Sequence, residues 1–479
     1  MTMRSLPDLV REHAARTPRA PAVVDAADAG RRLDWAGLDA ACSAAAAALY
    51  DHGMSPGDRV VLQLHTGLDF VVLYLAALRA GLIAVPVNPA YTAAELDHIR
   101  ADCDAPLALD DRSGRALLET AAPASDPRAD RRGEDVAVVL YTSGTGGPPR
   151  GAMLSVRALV GNLEQIAALV PAPVTRADVV FVPLPLTHVY GANAALGSVL
   201  HAGACAVLAG RFDPDESLAT MAAERVSVVV GVPGQYAAWL RRPGFAAGFA
   251  RVRFAMSGSA TLAAGVVLGY RRAGLMLHDG YGLTEAAPVV TVDVDGRLGT
   301  VGRPLPGVEI ELRDEDGGAV EPGDPGRIFV RGRNLFSGYW PSGADGPDGE
   351  GWFATSDLGV QDDDGNLRLA GRIDDVVLVN GFNVYPAEVE AVLAAQPGVA
   401  EVAVLGVPDA SGIERLRAYV VAVPGASVNA ADLRTGAARS LARFKLPSVI
   451  DVVEDLPHTV TGKVVKWRLG RRESVHGPT

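Results

Sequence analysis

Short β-branched runs alternate with amphipathic helical patterns over more than half of this chain. Four runs predict strands, at Arg59–Leu64, Val136–Tyr141, Ser227–Val232 and Val252–Ser257. Apolar residues at helical spacing predict helices at Gly37–Tyr50, Asp69–Ala80, Ala93–Cys103 and Asp215–Glu224. A helix between two strands usually returns the chain to a parallel neighbour. The alternation therefore predicts a large α/β domain with helices packed on parallel-type sheets.

The pattern changes near residue 308, where strand and turn signals replace the helices. The runs VEIELR and RIFVR precede a stretch rich in Gly, Pro and Asp, which predicts a small antiparallel or β-barrel-like subdomain. A further unit from about residue 375 combines strand runs with an Ala-rich helical pattern near 430–443. We expect this last unit to be a small α+β domain.

The composition excludes several classes of protein. Hydrophobic residues make up 49% and charged residues 21% of the 479 residues, as in a folded globular chain. A net charge of −12 argues against nucleic-acid binding. Three widely spaced cysteines predict a reduced, cytoplasmic setting, and the most apolar run, Phe70–Leu78, is too short for a transmembrane segment.

Lysine is scarce in this chain. Only three of the 44 basic residues are lysines, at positions 445, 463 and 466, so arginine supplies nearly every positive charge. All three fall near the C-terminus. A lysine retained against such a background is a candidate for a role that arginine does not fill.

A glycine-rich loop follows the predicted strand Val136–Tyr141. Its sequence, TSGTGGPPRG at 142–151, combines hydroxyl side chains, glycines and one arginine. Free backbone N–H groups and hydroxyls after a buried strand are suited to binding phosphate oxygens. The loop lacks the Gly-Lys-Ser/Thr of a Walker motif. We therefore expect a phosphate site of another kind.

The loop resembles the signature YTSGTTGxPKG of the adenylate-forming superfamily, which includes acyl-CoA synthetases. Further superfamily blocks follow in order along nearly the whole chain. They are PLPLTHVYG (183–191), SGSA (257–260), DGYGLTEAAP (279–288), GRPLPG (302–307), GWFATSDLG (351–359), GRIDDVVLVNGFNVYPAEVE (371–390) and LPHTVTGKVVK (456–466). The chain is identified as a member of this superfamily, most similar to fatty-acid–CoA ligases.

The resemblance implies a two-step reaction. An acid is first activated by ATP to acyl-AMP with release of pyrophosphate, and the acyl group then passes to coenzyme A; the cofactors are ATP, Mg²⁺ and CoA. It also implies a large N-terminal domain at 1–373 and a small mobile domain at 374–479. The hinge is at Asp374, and Gly381 lines the thiol channel after rotation.

Four residues are catalytic candidates by the same resemblance. Lys463 matches the lysine that bridges the attacking carboxylate and the α-phosphate. Glu285 matches the Mg²⁺ ligand, and Thr284 matches the residue that contacts the α-phosphate. His188 matches a histidine near the acyl carboxylate.

The resemblance also assigns the nucleotide contacts. Phosphate-binding candidates are Thr142, Ser143, Gly144, Thr145, Gly146, Gly147 and Arg150. Adenine and ribose candidates are Ser259, Ala260, Gly280, Tyr281, Gly282, Asp357 and Arg372. Gly146 stands where the family usually has Thr and Arg150 where it usually has Lys, so we expect weaker ATP use, but not its loss.

The acid pocket is predicted to be apolar, with walls at Tyr190, Ala192, Val232 and Tyr236. Gly280 stands where malonyl-type relatives carry Arg, and His188 lies near the position of the Asp of amino-acid-activating relatives. A neutral fatty or aryl acid therefore fits, with a fatty acid favoured. The acceptor stays open between free CoA and the pantetheine of an acyl carrier protein. We expect a monomer or homodimer.

Overall fold

The computed structural model describes residues 4–122, 129, 131–142, 149–260, 262–314, 316–321, 323–379, 382–408, 414–459 and 463–471. Within these ranges the expected alternation of strands and helices is confirmed. The predicted strand Ser227–Val232, for example, is observed at Val228–Gly231.

Helices and strands are interspersed from the first helix to residue 182. In chain order they are α1 (Leu6–Arg16), β1 (Pro21–Asp25), β2 (Arg31–Asp34), α2 (Trp35–Asp51), β3 (Arg59–Gln63), α3 (Leu68–Arg79), β4 (Ile83–Pro86), α4 (Ala93–Asp102), β5 (Leu107–Asp110), α5 (Asp111–Thr120), β6 (Val136–Thr142), β7 (Arg150–Ser155), α6 (Val156–Ala167) and β8 (Val179–Val182).

The alternation continues to residue 304, after a π-helix at Tyr190–Gly197. The next elements are α7 (Ser198–Ala202), β9 (Cys205–Leu208), α8 (Pro214–Ala223), β10 (Val228–Gly231), α9 (Pro233–Leu240), α10 (Phe245–Gly248), β11 (Phe254–Ser257), α11 (Ala264–Arg272), β12 (Leu277–Gly282), β13 (Val289–Val292) and β14 (Arg303–Pro304). A 3₁₀ turn at Thr284–Ala286 lies between β12 and β13.

These strands form two mainly parallel sheets. The five-stranded sheet has the order β5-β3-β4-β6-β7, in which only β7 runs antiparallel to its neighbour. The nine-stranded sheet has the order β14-β13-β12-β11-β10-β8-β9-β1-β2, and its central six strands are parallel. The glycine-rich loop thus joins two antiparallel strands, β6 and β7.

Helix α3 lies in the main hydrophobic core. All of its residues except Asp69 are buried, and it packs against α1, α2 and α5. Its continuous apolar run is therefore explained by packing on every side. Among the helices of the described residues, none has the length and the apolar character that a membrane crossing needs.

The later part of the chain is mainly antiparallel, as expected. Strands β15 (Val308–Arg313), β16 (Gly326–Gly332), β17 (Trp352–Gln361) and β18 (Leu367–Arg372) form one sheet in sequence order. The C-terminal part contains β19 (Val377–Val379), β20 (Phe382–Val384), α12 (Pro386–Ala394), β21 (Val399–Pro408), β22 (Glu414–Ala422), α13 (Ala430–Ala437), β23 (Val449–Val453) and α14 (Lys466–Arg471).

A buried carboxylate fixes the start of β8 in the nine-stranded sheet. Asp178 accepts hydrogen bonds from Arg253 Nε at 2.8 Å, Thr175 Oγ1 at 2.7 Å and Ser227 Oγ at 2.8 Å. Burial opposes ionisation, but these bonds outweigh it and lower the pKa of Asp178 to about 2. The strands that lead to the SGSA and PLPLTHVYG blocks are held together at this point.

We expect Asp178→Asn to lower the free energy of unfolding at pH 7 by about 2–4 kcal/mol, since Arg253 loses its charged partner. Because the folded-state pKa lies below the ordinary value, the stabilisation is present above about pH 4 and is lost as the pH falls towards 2. Urea unfolding at pH 7 and pH 3 measures both effects.

Asp451→Asn is the matched control, because Asp451 is more exposed and pairs with a single arginine, Arg417, at 2.6 Å. It should cost less than about 1 kcal/mol. Equal losses in the two variants would contradict the role assigned to Asp178.

Candidate active site

Three neighbouring parallel strands, β10, β11 and β12, end at the same edge of the nine-stranded sheet. Beyond them lie the turn at residues 231–232, the loop at residues 257–260 and the block at residues 279–288. Ligands of open α/β sheets bind outside the carboxyl ends of the strands. This edge is therefore the candidate site.

Two buried hydroxyls lie in the loop after β11. Ser257 Oγ and Ser259 Oγ have no hydrogen-bond partner among the described residues. Ser259 has a φ of 76°, which is uncommon for a residue with a side chain, and half-buried Ala260 follows it. Unsatisfied hydroxyls and strained backbone are typical of a ligand-binding loop. Both features fit a wall against which a nucleoside binds.

Tyr281, Asp357 and Arg372 form a polar cluster beside that loop. Tyr281 is buried, and its hydroxyl donates to Asp357 Oδ2 at 2.7 Å. Asp357 and Arg372 are paired residues of the antiparallel strands β17 and β18, with 3.9 Å between Arg372 Nε and Asp357 Oδ1. Arg372 Nε has no hydrogen-bond partner in the described part of the chain. The cluster thus keeps donor and acceptor capacity for a ligand.

The two glycines beside Tyr281 are required by close packing. A Cβ at Gly282 would lie 2.2 Å from the carbonyl oxygen of Pro288, and one at Gly280 would lie 2.7 Å from Met256 Cε. Any side chain at Gly282 would push away the backbone of the turn that carries Glu285. The glycines are thus explained by the protein's own packing, whether or not adenine also approaches them.

Glu285 lies in the half-buried 3₁₀ turn that Thr284 begins. Residues 334–340, here called the 334–340 segment, hold this turn. Phe336 N donates to Glu285 O at 2.8 Å, and Asn334 Nδ2 donates to Ala286 O at 3.0 Å. Tyr339 Oη donates to Glu285 Oε1 at 2.6 Å. Both the backbone and the carboxylate of Glu285 are therefore fixed by one segment.

The same segment is bonded to β7, the strand that leaves the glycine-rich loop. Trp340 N donates to Gly151 O at 2.8 Å, Ser337 N donates to Met153 O at 2.9 Å, and Met153 N donates to Gly338 O at 3.1 Å. The 334–340 segment thus joins the loop strand of one sheet to the Glu285 turn of the other.

Arg150 extends this connection through its side chain. Its guanidinium lies over the ring of Tyr339, 3.8 Å from the centroid, and pairs with Asp345 at 2.6 Å. Thr142 is the backbone partner of Arg150 across β6 and β7. The other phosphate candidates, Ser143, Gly144, Thr145, Gly146 and Gly147, lie outside the described residues.

Lys463 lies close enough to His188 to lower the pKa of the imidazole. Burial lowers the pKa of His188 to about 4, and the positive charge of Lys463 adds to the effect. Burial also lowers the pKa of Lys463; Asp357 opposes this shift, Arg372 adds to it, and Glu285 opposes it. Lys463 as a whole residue stays accessible to solvent. The C-terminal lysine therefore reaches the predicted site.

The hinge candidate Asp374 is part of a 3₁₀ turn, Ile373–Asp375, between β18 and β19. Lys466 pairs with Asp375 at 3.6 Å and with Glu390 at 2.9 Å, which anchors α14 to this region. The thiol-channel candidate Gly381 lies outside the described residues.

Three of the four acyl-pocket candidates lie at the site edge, with Tyr190 and Ala192 on the π-helix and Val232 after β10. Tyr190 Oη donates to Gly231 O at 3.2 Å. The interpretation of Tyr236 is corrected. It is fully buried, its hydroxyl donates to Met256 O at 2.7 Å, and its ring packs against Trp239. Tyr236 is a core residue because both its ring and its hydroxyl are used internally.

The donor set fits Mg²⁺ and a nucleotide. Mg²⁺ prefers oxygen ligands and commonly takes one or two carboxylates together with substrate phosphates. Glu285 offers such a carboxylate, and in the described residues no group of three or more His, Cys, Asp or Glu side chains forms a separate metal cluster. The atoms Ser257 Oγ, Ser259 Oγ and Arg372 Nε have no partner among the described residues and remain available for polar contacts with a ligand.

Sequence reasoning missed Tyr339, Asn334 and Asp279. Tyr339 and Asn334 belong to the turn-rich NLFSGYW run, whose polar and aromatic residues were the available signal. Asp279 precedes Gly280 at the strand end. Burial raises the pKa of Asp279 to about 8, the N–H of Gly280 opposes this, and Asp293, which directly follows the facing strand β13, adds to it. A carboxyl that stays largely protonated at pH 7 thus lies at the edge of the sheet that forms the candidate site.

Comparison with known proteins identifies the family. The family described as AMP-binding enzyme matches residues 10–340, and its C-terminal domain matches residues 388–463. The chain belongs to the AMP-binding enzyme family. It is 33% identical over 470 residues to a feruloyl-CoA synthase of Amycolatopsis sp, covering 92% of this chain and 94% of that one.

Two further comparisons agree with this membership. A long-chain-fatty-acid–CoA ligase of Yersinia pestis is 30% identical over 491 residues, covering 89% of this AMP-binding enzyme and 87% of the ligase. The ATP-bound structure of MatB from Rhodopseudomonas palustris matches with a TM-score of 0.90 and 33% identity, covering 98% and 99% of the two chains. The protein is an AMP-forming acid–thiol ligase, an acyl-CoA synthetase that uses ATP, Mg²⁺ and CoA.

We expect Tyr339→Phe to raise the Mg²⁺ concentration for half-maximal activity about tenfold. The variant removes the hydrogen bond that orients Glu285 but keeps the ring under Arg150, and a bond to a charged group contributes about 1.5–3 kcal/mol. The measurement is initial rate against free Mg²⁺ at saturating ATP, with calorimetric titration of Mg·ATP as a readout independent of turnover.

Tyr50→Phe is the matched control, because Tyr50 donates one hydrogen bond to Ala80 O at 2.8 Å, between α2 and α3 and away from the site edge. It should leave the Mg²⁺ dependence unchanged. An unaltered Mg²⁺ dependence in Tyr339→Phe would refute the positioning of Glu285 by Tyr339.

Proposed function

We propose that this acyl-CoA synthetase activates an apolar monocarboxylic acid, a fatty acid in the first instance, and transfers the acyl group to CoA. The observation that carries the proposal is the approach of Lys463 to His188, Asp357, Arg372 and Glu285. These residues come from distant parts of the chain. Their convergence supports a site in which an anionic acid meets a polyanionic nucleotide.

In the first step a carboxylate oxygen of the acid attacks the α-phosphorus of ATP. The bond from that phosphorus to the bridging oxygen of the β-phosphate breaks, and pyrophosphate leaves. Lys463 holds its ammonium group between the attacking carboxylate and the α-phosphate, where both groups are anionic. Glu285 would hold Mg²⁺, which when bound would neutralise charge on the phosphate oxygens. Anions at this point also favour the charged form of Lys463, against the lowering of its pKa by burial.

His188 contributes an uncharged side chain beside the proposed position of the acid carboxylate. With a pKa lowered to about 4, its imidazole is uncharged at neutral pH and does not compete with Lys463 for the carboxylate. Its Nδ1 accepts a hydrogen bond from Tyr190 N at 3.3 Å, which leaves Nε2 as the ring's proton donor. The carboxylate of the acid is thus met by one full charge and one neutral donor.

In the second step the CoA thiol gives up its proton and its sulfur bonds to the acyl carbon. The bond from that carbon to the AMP oxygen breaks, and AMP is released. We assign domains at 1–373 and 374–479, with rotation about Asp374 withdrawing Lys463 between the steps. The 3₁₀ turn at Ile373–Asp375, which directly follows Arg372, supports a pivot there.

The apolar acid is supported by the pocket walls. Tyr190, Ala192 and Val232 are buried, and Gly280 offers no side chain to pair with a second carboxylate. The relatives include proteins named for long-chain fatty acids and for feruloyl groups, so the alkyl or aryl nature of the acid is to be decided by experiment.

The experiment measures pyrophosphate release and CoA consumption with alkanoic acids of graded length and with aryl acids. We expect CoA-dependent turnover with apolar acids and none with dicarboxylic acids. Adenylate formation without CoA consumption would contradict the proposed acceptor and favour loading of a carrier protein. Turnover restricted to dicarboxylic or amino acids would contradict the proposed substrate class.

We expect Lys463→Ala to slow acyl-adenylate formation by at least about 100-fold, since a charge that stabilises the transition state is removed. Thioester formation from supplied acyl-adenylate should change by less than about twofold, because the lysine is withdrawn in that step. Pyrophosphate release and CoA-thioester formation are measured separately.

Lys445→Ala is the control, since Lys445 pairs with Glu388 at 2.7 Å within the C-terminal part. Both half-reactions should survive that change. Equal loss of both half-reactions in Lys463→Ala would contradict the division of labour between the two steps.

A further inference from the structure

A small apolar cavity lies between the nine-stranded sheet and the helices that cover this face, which include the π-helix and α7. We call it the distal cavity. Six of the residues that line it are Ala194, Ser198, Val228, Val230, Phe254 and Met256.

The strand residues place the distal cavity along the path of an acyl group. Val228 and Val230 alternate on β10, and Phe254 and Met256 alternate on β11, so all four side chains share one sheet face. Met256 comes directly before Ser257 and the loop of the candidate site. Its methyl group lies where a Cβ at Gly280 would be only 2.7 Å away. Met256 therefore separates the site edge from the distal cavity.

Tyr190 lies at the same boundary on the opposite side. A Cβ at Gly258 would lie 3.2 Å from its hydroxyl oxygen, so the ring covers the loop after β11. Tyr190 begins the π-helix, and Ala194 in the same π-helix lines the distal cavity. One continuous helical wall thus runs from the proposed carboxylate position to the cavity.

The distal cavity contains one polar side chain without a partner. Ser198 is 7% exposed, and its Oγ has no hydrogen-bond partner among the described residues. A buried hydroxyl is normally hydrogen-bonded, because leaving it unpaired carries a desolvation cost. The desolvation free energy of the Ser198 hydroxyl is therefore not offset within the protein, and a ligand that hydrogen-bonds to this hydroxyl would offset it.

A buried water does not explain this hydroxyl well. Ordered buried waters make two to four hydrogen bonds to polar partners. The side chains around the distal cavity are apolar apart from Ser198. A group that is covalently part of an apolar molecule, and that needs one hydrogen bond, fits the chemistry better.

We propose that the distal cavity receives the far end of the acyl group and that this end carries a small oxygen function, which hydrogen-bonds to Ser198. The substrate class is then an apolar acid with a terminal hydroxyl, ether or carbonyl oxygen. This inference rests on the proposed function and narrows it. Met256 is the boundary that moves to admit the chain, as its flexible, unbranched side chain permits.

The test compares pairs of acids of equal length that end in a methyl group or in a hydroxyl or methyl ether, with kcat/KM from pyrophosphate release. We expect the wild type to favour the oxygenated acid at the best length by at least about tenfold, because the methyl acid leaves Ser198 unpaired. Ser198→Ala should reverse the preference by weakening the oxygenated acid and improving the methyl acid.

Ser217→Ala is the matched control, since Ser217 is equally buried but donates to Asp213 O at 2.5 Å on α8. It should keep the wild-type preference. It should also lower the melting temperature, whereas Ser198→Ala should maintain or raise it, because only Ser217 loses a made hydrogen bond.

Met256 supplies a second variant. Met256→Phe should reduce activity with the longest accepted acids and spare short ones, while Met256→Ala should extend the accepted length. An unchanged ratio of oxygenated to methyl acid in Ser198→Ala, or an unchanged length limit in both Met256 variants, would overturn the proposal.

Different results would overturn the distal-cavity proposal and the proposed function. If methyl-terminated acids are activated and the Ser198 ratio does not change, the distal-cavity inference fails and the proposed function stands. If no monocarboxylic acid supports pyrophosphate release, the proposed function itself fails.

Discussion

The hydrogen bonds of the 334–340 segment are the constraint on which the site depends. They connect β7 of the five-stranded sheet to the Glu285 turn beyond the nine-stranded sheet. Without that connection the glycine-rich loop and the carboxylate proposed to bind Mg²⁺ would belong to separate layers. Backbone bonds set their spacing, and the Tyr339 hydroxyl sets the direction of the carboxylate.

Electrostatics in the site is decided by pairing and hydration, and little by the net charge of −12. Arg150 is paired with Asp345, and Arg372 lies beside Asp357. Burial works against the charge of Lys463 by lowering its pKa. The neutral His188 completes this arrangement. An anion that enters this site favours the charged form of Lys463, because a nearby opposite charge raises the pKa of an ammonium group.

The motifs predicted the fold and the family well because they are local in sequence. The alternation of strands and helices gave the parallel sheets, and the blocks lie on the turns where those strands end. Tyr339 was not predictable, because its role depends on a hydroxyl that meets Glu285 from 54 positions away. Tyr236 was assigned to the pocket because it lies near Val232 in sequence. Val232 is the N-cap of α9, and Tyr236, four residues later, lies on the face of that helix that is buried in the core.

The same limit applies to the glycines and to Ser198. A glycine beside Tyr281 is compatible with ligand approach and with backbone packing, and only the position of Pro288 O shows the second reason for Gly282. An unpaired hydroxyl such as that of Ser198 has no sequence signature at all. Whether a serine hydroxyl has a hydrogen-bond partner depends on which groups the fold places next to it. The sequence thus shows which polar groups are present, while packing determines which of them lack a hydrogen-bond partner.

The π-helix at Tyr190–Gly197 has a consequence for how such a pocket changes over evolutionary time. A π-helical turn holds one residue more than an α-helical turn of similar length, and such turns are frequent at functional sites. Insertion or deletion of one residue here would rotate the pocket wall by about a quarter turn while α7 and the sheet stay in place. A single insertion or deletion here would therefore change which acids fit the pocket, and the neighbouring residues of the candidate nucleotide site would stay in place.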